Sequence, residues 1–308
     1  MSNVVPLPGL VKSAPGGRPL GLFAINLDRS PDRWAEIERG FGGLAWPLHR
    51  VAGIDARQNP DEVLAVRGLE MRHPPFAVGW NARRNRLFMV TEEACFVGHV
   101  LAWRVFLASD FEHAIILEDD AVPQDGFEGA VEELLAQDLG AAIVKLEGIY
   151  RPGGRKVLPL GKVGDRLLVR SLRPVSGAAG YLITRSAAER LLERTGSALV
   201  PADDFLWSPA WHGLKVLDVA PWVVMQSGAE SVIATSRDAK KTRRANLPGR
   251  SVLMALKRMQ ERLALLWSAC DGRPWRLMNA TMAQWAPEDY NKVNSKAVAA
   301  EDRRSSNG

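Results

Sequence analysis

Apolar residues along this chain fall into short runs, each halted by turn or helix-start residues, with longer amphipathic stretches between them. Leu22-Phe23-Ala24-Ile25-Asn26 is the first such run and reads as a buried strand. Ser30-Pro31-Asp32 follows at once: Ser30 suits an N-cap, Pro31 the first helical position, and Asp32 the positive end of the helix dipole. A second strand is expected over Trp46 to Val51, and Asn59-Pro60-Asp61-Glu62 marks another helix start. Residues 71–90, with His73-Pro74-Pro75 and the basic run Arg83-Arg84-Asn85-Arg86, read as a loop able to approach an anionic substrate.

Glu92 to Leu107 reads as a buried helix with Cys95, His99 and Trp103 on one face, each four residues from the next. Ala114 to Leu117 is a short apolar strand that stops at Glu118-Asp119-Asp120. Further strands are expected over Ala141 to Leu146, Leu167 to Arg170, Gly180 to Thr184 and Leu214 to Val219. Pro152-Gly153-Gly154 marks a turn, and Ser186 to Arg194 a helix. Strands alternating with helices predict an α/β fold whose mixed, mostly parallel sheet is covered on both faces.

Composition narrows the class only modestly. The chain has 308 residues, 24% charged and 46% hydrophobic, which suits one large α/β domain with appendages. Cys95 and Cys270 make neither a zinc-type spacing nor a disulfide framework, so a reducing compartment, the cytoplasm, is expected. No run is long and apolar enough to read as a membrane span. A net charge of +5 and a pI near 9.4 suit an anionic ligand or surface. Net charge is the only argument for nucleic acid, and no nucleic-acid partner is expected.

Residues 1–19 read as a flexible leader, 20–235 as the domain, 236–289 as a basic helical appendage and 290–308 as a disordered tail. The appendage opens with Arg237, Lys240, Lys241, Arg243, Arg244 and Arg250, then a helix over Ser251 to Trp267. Clustered cations beside an amphipathic helix favour peripheral contact with an anionic inner-membrane surface; a packed appendage or dimer contact would look the same.

Three constellations carry candidate chemistry. Glu118, Asp119 and Asp120 directly after a buried strand are electrostatically costly without a counter-charge. A hard cation, Mg2+ or Mn2+, would supply one and leave positions for phosphate oxygens. A solvated turn capping a helix would use the same residues. Asn26, Leu27, Asp28 and Arg29, with Arg33, also follow a strand, where ligands of open α/β sheets gather. Their amide and carboxylate suit a base or ribose, and the two arginines suit phosphate, while turn chemistry is the plainer alternative. Asp203 and Asp204, before Phe205-Leu206-Trp207, could provide a general base beside a stacking surface, or simply favour a helix N-terminus. His99, on its apolar face, suits a satisfied core histidine or a partner of an acid or phosphate. Ten tryptophans allow some sugar-stacking faces among many core ones.

Taken together these segments resemble glycosyltransferase family 25. Phe23-Ala24-Ile25-Asn26-Leu27-Asp28-Arg29-Ser30-Pro31-Asp32-Arg33 looks like the family's first strand and nucleotide loop. Ala94-Cys95-Phe96-Val97-Gly98-His99 with Trp103 resembles its G-C-x-x-S-H-x-x-x-W helix, and Ile115-Ile116-Leu117-Glu118-Asp119-Asp120 its acidic motif. Gly177-Ala178-Ala179-Gly180-Tyr181-Leu182-Ile183 and Pro201-Ala202-Asp203-Asp204-Phe205-Leu206 are similar to two later segments, in order and spacing from about residue 21 to 235. Gly98, Ala94 and the Ala178-Ala179 pair depart from the family pattern, and 71–90 has no counterpart.

The resemblance implies a GT-A-like single nucleotide-sugar-binding domain. It implies a UDP-sugar donor, typically UDP-galactose, a Mn2+ or Mg2+ ion held by Asp119 and Asp120, and Glu118 close by or on the donor. Asn26, Asp28 and Arg29 would sit near the nucleotide, and Asp203 would be the base or acceptor anchor. The acceptor would be a cell-surface glycan or glycolipid such as lipopolysaccharide core. A metal-dependent hydrolase or phosphotransferase, and a non-catalytic glycan- or partner-binding relative, are the alternatives.

Overall fold

The computed structural model describes residues 20–70, 77–81, 86–148, 155–171, 176–196 and 198–227, together with 259, 263 and 278–280. The expected leader 1–19, the basic run 237–250, the rest of the 251–267 helix, the 152–154 turn and the tail 290–308 lie outside these residues.

The chain begins with β1 (Leu20–Asn26), α1 (Pro31–Phe41), β2 (Leu48–Ala52), α2 (Pro60–Ala65) and a hairpin of β3 (Ala77–Asn81) and β4 (Arg86–Met89). It continues through α3 (Val90–Leu107), β5 (His113–Glu118), β6 (Ala121–Pro123), α4 (Phe127–Leu135) and β7 (Ala142–Lys145). Then come β8 (Arg155–Val163), β9 (Arg166–Ser171), β10 (Gly180–Thr184), α5 (Arg185–Arg194), α6 (Ala202–Leu206), α7 (Pro209–His212), β11 (Lys215–Ala220), β12 (Val224–Gln226) and β13 (Met278–Ala280).

Nine strands form one sheet in the order β13-β8-β9-β11-β7-β10-β5-β1-β2. Strands β2, β1, β5, β7, β11 and β8 point one way, and β10, β9 and β13 run against them. The sheet is therefore mixed, with most strands sharing one direction. Strand β13 comes from the segment expected to be a helical appendage, and it extends the edge beyond β8.

Alternation along the strands builds the two faces. Phe23, Ile116, Tyr181 and Ile183 turn toward α3, α5 and α6, and pack with Phe96, Trp103, Phe106, Leu191 and Phe205. Leu22, Ala24, Ile115, Leu117 and Leu182 turn the other way, onto Ile37 and Phe41 of α1 and Phe127, Val131 and Leu134 of α4. Helix α3 is apolar nearly all round because it is covered on several sides. Its outer flank meets α2 and the β3–β4 hairpin through Val63, Leu64, Val78 and Phe88.

Two expectations need correction. Residues 77–81 and 86–89, expected as loop, are strands; Val78 and Phe88 are anchored in that third cluster. Ser30 stands at the N-cap of α1 but makes no side-chain cap; its carbonyl instead accepts from Trp34 N–H and from the Asn26 side chain.

One buried ion pair ties the periphery to the core. Arg67, after α2, donates to both carboxylate oxygens of Glu93 at 2.9 Å and lies 4.2 Å from the centre of the Phe96 ring. Its guanidinium also donates to the carbonyls of Thr195 and Ala198. Burial pushes the Glu93 carboxyl up and the Arg67 guanidinium down, and each opposes the shift of the other.

Candidate active site

Strands β1 and β5 are parallel neighbours, with Ile25 opposite Glu118, so the loops leaving their carboxyl ends emerge side by side. Asn26 is almost fully buried at this junction, 1% exposed. Its Nδ2 donates to Asp119 Oδ2 and to the Ser30 carbonyl, each at 3.0 Å, and its Oδ1 accepts from Arg50 Nε at 2.9 Å. Arg33, one turn into α1, donates to Asp119 Oδ1 at 2.8 Å. Both oxygens of Asp119 are thus held by the β1 loop.

The acidic turn is fixed at its backbone as well. Glu118 N–H donates to the Ala179 carbonyl at 3.0 Å, and the Asp120 carbonyl accepts from Ser227 N–H at 2.8 Å. Asp120 Oδ1 is buried without a hydrogen-bond partner. Burial, then the charges of Glu118 and Asp119, push the Asp120 carboxyl up to about 7. This side chain thus combines an unpartnered acceptor with a costly negative charge.

Beneath the turn, His99 Nε2 lies 3.2 Å from Glu118 Oε1, and His99 Nδ1 lies 3.0 Å from the Tyr181 hydroxyl. Trp103 Nε1 donates to that hydroxyl at 2.8 Å. One proton arrangement satisfies every group: Trp103 donates to Tyr181, Tyr181 to His99 Nδ1, and His99 Nε2–H to Glu118. Burial pushes the Tyr181 phenol well up, which keeps it a donor. The face of α3 that carries Cys95, His99 and Trp103 therefore supports Glu118 from below. Burial, then the charge of Glu118, pushes the Cys95 thiol well up.

The β1 loop, the acidic turn and His99 line one open cleft. Asn26, Leu27, Arg29, Arg33, His99, Glu118, Asp119 and Asp120 all line it. Asp28 does not: its side chain is 81% exposed and pairs with Arg50 at 2.7 Å. Asp203 and Asp204 also lie off this lining, at the start of α6, where Asp203 Oδ1 accepts from Asp204 N–H at 2.9 Å. Asp203 is near enough to add its charge to the upward push on Cys95.

The sequence reading missed the opposite wall, Gly53 to Arg57 after β2. There Asp55 accepts from Arg29 Nε at 2.5 Å, which positions that arginine at the rim. It also missed a buried pair behind the site. Lys145 Nζ donates to Glu147 Oε2 at 2.9 Å and to the Gly177 carbonyl at 2.6 Å, and stands 4.4 Å from the centre of the Trp207 ring. A lysine on a strand and a glutamate just past its end are common surface pairs, so their burial carried no signal in the sequence.

The model of glycosyltransferase family 25 (LPS biosynthesis protein) matches residues 20–206, from β1 through α6. This chain belongs to glycosyltransferase family 25. A family 25 member of Aedes aegypti is 29% identical over 194 residues, covering 60% of this chain and 30% of the relative. The lacto-N-neotetraose biosynthesis glycosyltransferase LgtB of Neisseria gonorrhoeae is 24% identical over 181 residues, covering 55% of this chain and 59% of that protein. The matches thus span under a third of the mosquito relative's length and under two thirds of the gonococcal one's. Among solved structures, a putative glucose-1-phosphate thymidylyltransferase of Bacillus anthracis aligns at 12% identity and a TM-score of 0.34, over 75% of this chain and 98% of that one, a likeness too slight to build on. No helix among the described residues is long and apolar enough to cross a membrane.

The residues present fit a divalent metal of the kind family 25 membership implies. Asp120 offers an unpartnered buried oxygen, and its raised carboxyl is what a nearby cation would relieve. Asp119 is already engaged through both oxygens, so its part in holding an ion would compete with Asn26 and Arg33.

Proposed function

We propose that this protein transfers a hexose, galactose by default, from a UDP-sugar to a cell-surface glycan or glycolipid such as lipopolysaccharide core, assisted by Mn2+ or Mg2+ at Asp120 and Asp119. The observation that carries the proposal is the buried, unpartnered Asp120 oxygen inside a cleft that Arg29, Arg33 and Arg57 also line. Family membership supplies the reaction class.

In this reading the arginines receive the diphosphate, which guanidinium groups bind in a planar, bidentate manner. Asn26 holds Asp119 in place and shapes the nucleotide end of the cleft. When bound, the metal supplies positive charge against the leaving diphosphate. His99 fixes the carboxylate of Glu118, which faces the donor. Asp203 serves as the base or anchor for the acceptor hydroxyl, brought toward the site by the packing of α6 on α3.

The proposal is tested by incubating the full-length protein with UDP-galactose, UDP-glucose, UDP-N-acetylglucosamine and GDP-mannose, with and without Mn2+, and measuring nucleotide release. Slow metal-dependent release of UDP from one donor, raised by a lipopolysaccharide-core acceptor, is expected. Release that ignores both metal and acceptor would point to a hydrolase. No release from any donor by folded protein would favour a binding role.

A further inference from the structure

We propose that Cys95, His99 and Glu118 form a binding site for a thiophilic divalent cation of the zinc type, on the cleft floor and distinct in ligand chemistry from the carboxylates of Asp119 and Asp120. One ligand atom from each of the three lies within 4.8 Å of the other two. Cys95 and His99 are one turn apart on α3, a spacing that sets two side chains on the same face, and Glu118 arrives from the end of β5. The three come from two rigid, buried elements, so little has to move.

The geometry is close to what such an ion needs. Zinc bonds of about 2.3 Å to sulfur and about 2.0 Å to nitrogen or oxygen place ligand atoms roughly 3.3–3.8 Å apart in a tetrahedron. His99 Nε2 and Glu118 Oε1 already stand at 3.2 Å. Contraction by at most about an ångström at the sulfur would complete the set. Three protein ligands leave a fourth position open toward the cleft, for water or a phosphate oxygen. Sulfur and imidazole donors select Zn2+ over Mg2+ or Mn2+, whereas the all-oxygen Asp119–Asp120 pair selects the reverse.

The surroundings of His99 suit a ligand. With Nε2 on a metal, the ring proton sits on Nδ1 and is donated to the Tyr181 oxygen, 3.0 Å away. A ligating histidine characteristically has such an acceptor behind it. Binding breaks the Cys95 S–H bond and forms a metal–sulfur bond, and one proton leaves to solvent; the imidazole changes tautomer without net loss. No electron transfer is involved, and the site stands whether or not the transferase reading does.

The test is a Co2+ titration of the reduced full-length protein, read by absorption. A thiolate-to-cobalt band in the near ultraviolet is expected at one equivalent and should be displaced by Zn2+. It should persist in Cys270→Ser and Asp119→Asn and vanish in Cys95→Ser. In Tyr181→Phe, Zn2+ affinity should fall about 10- to 100-fold. Cobalt binding without a thiolate band, or a band that survives Cys95→Ser, overturns the proposal. Should Cys95→Ser fail to fold, wild-type protein decides it by iodoacetamide alkylation followed by peptide mass spectrometry. Zn2+ should slow modification of Cys95 at least about tenfold while Mn2+ leaves it unchanged; equal rates with and without Zn2+ overturn it.

Discussion

Asn26 Nδ2 donates to Asp119 Oδ2 at 3.0 Å, a single hydrogen bond that joins the β1 loop to the acidic turn. One lies at the end of β1, the other just past the end of β5, separated by 93 residues. The same amide accepts from Arg50, so it cross-links three elements. Replacing Asn26 with Ala leaves Asp119 held by Arg33 in this network and strips Arg50 of an acceptor. A loss of about 1–3 kcal/mol is expected in urea unfolding. Asn26→Asp should be worse than Ala, because it sets a second carboxylate against Asp119.

Gly98 marks the place where this chain departs from the serine of the family's helix motif, and the structure explains the departure. A Cβ at position 98 would meet Ile25 Cγ2 at 2.9 Å. Gly98→Ser should therefore destabilise the protein by about 1–3 kcal/mol through overpacking. Pairing it with Ile25→Ala, which removes the Cγ2 methyl, should give a double variant less destabilised than the two single losses added together. Thermal melts of the single and double variants check the coupling.

Much of this was legible in the sequence, for identifiable reasons. Strands β1, β5 and β10 are short apolar runs with clear stops, and the loops they end in carry the Asn26 and Glu118 to Asp120 clusters. That pattern placed both clusters at strand ends, and the structure joins them in one cleft. Asp28 was less legible, because a turn residue can point either into a cleft or away from it, and here it pairs with Arg50 outside the lining. Strand β8 was not among the expected strands; it carries Pro159 and Gly161, which sit at a register shift against β9. The Gly53 to Arg57 wall has no distinctive local pattern; it becomes part of the site only through the pairing of β2 with β1.

The Arg67–Glu93 pair is buried on both sides, with side chains 1% and 0% exposed. Breaking it from one side strands a charge. Arg67→Met should cost about 3–5 kcal/mol, read by chemical denaturation. Arg67→Met with Glu93→Leu should recover a substantial part, since an apolar pair avoids the desolvation of two ions.

Asp120 gives the metal-free protein a pH signature. Its folded carboxyl titrates near 7, above the ordinary value of about 3.9 for an unfolded chain. Between those values the folded state holds the extra proton, so this group's contribution to stability falls as pH rises from about 4 through 7. Without metal, Asp120→Asn should flatten that slope and melt higher than wild type at pH 8. Adding Mn2+ to the wild type should close the gap there, and should do so less effectively at pH 6.

The most direct test of the central claim is calorimetry of UDP-galactose binding to wild-type and Asp120→Asn protein, with and without Mn2+. The account predicts Mn2+-dependent binding to wild type and its loss in a variant that still melts cooperatively. Equal binding with and without Mn2+, or binding that Asp120→Asn leaves intact, would contradict it.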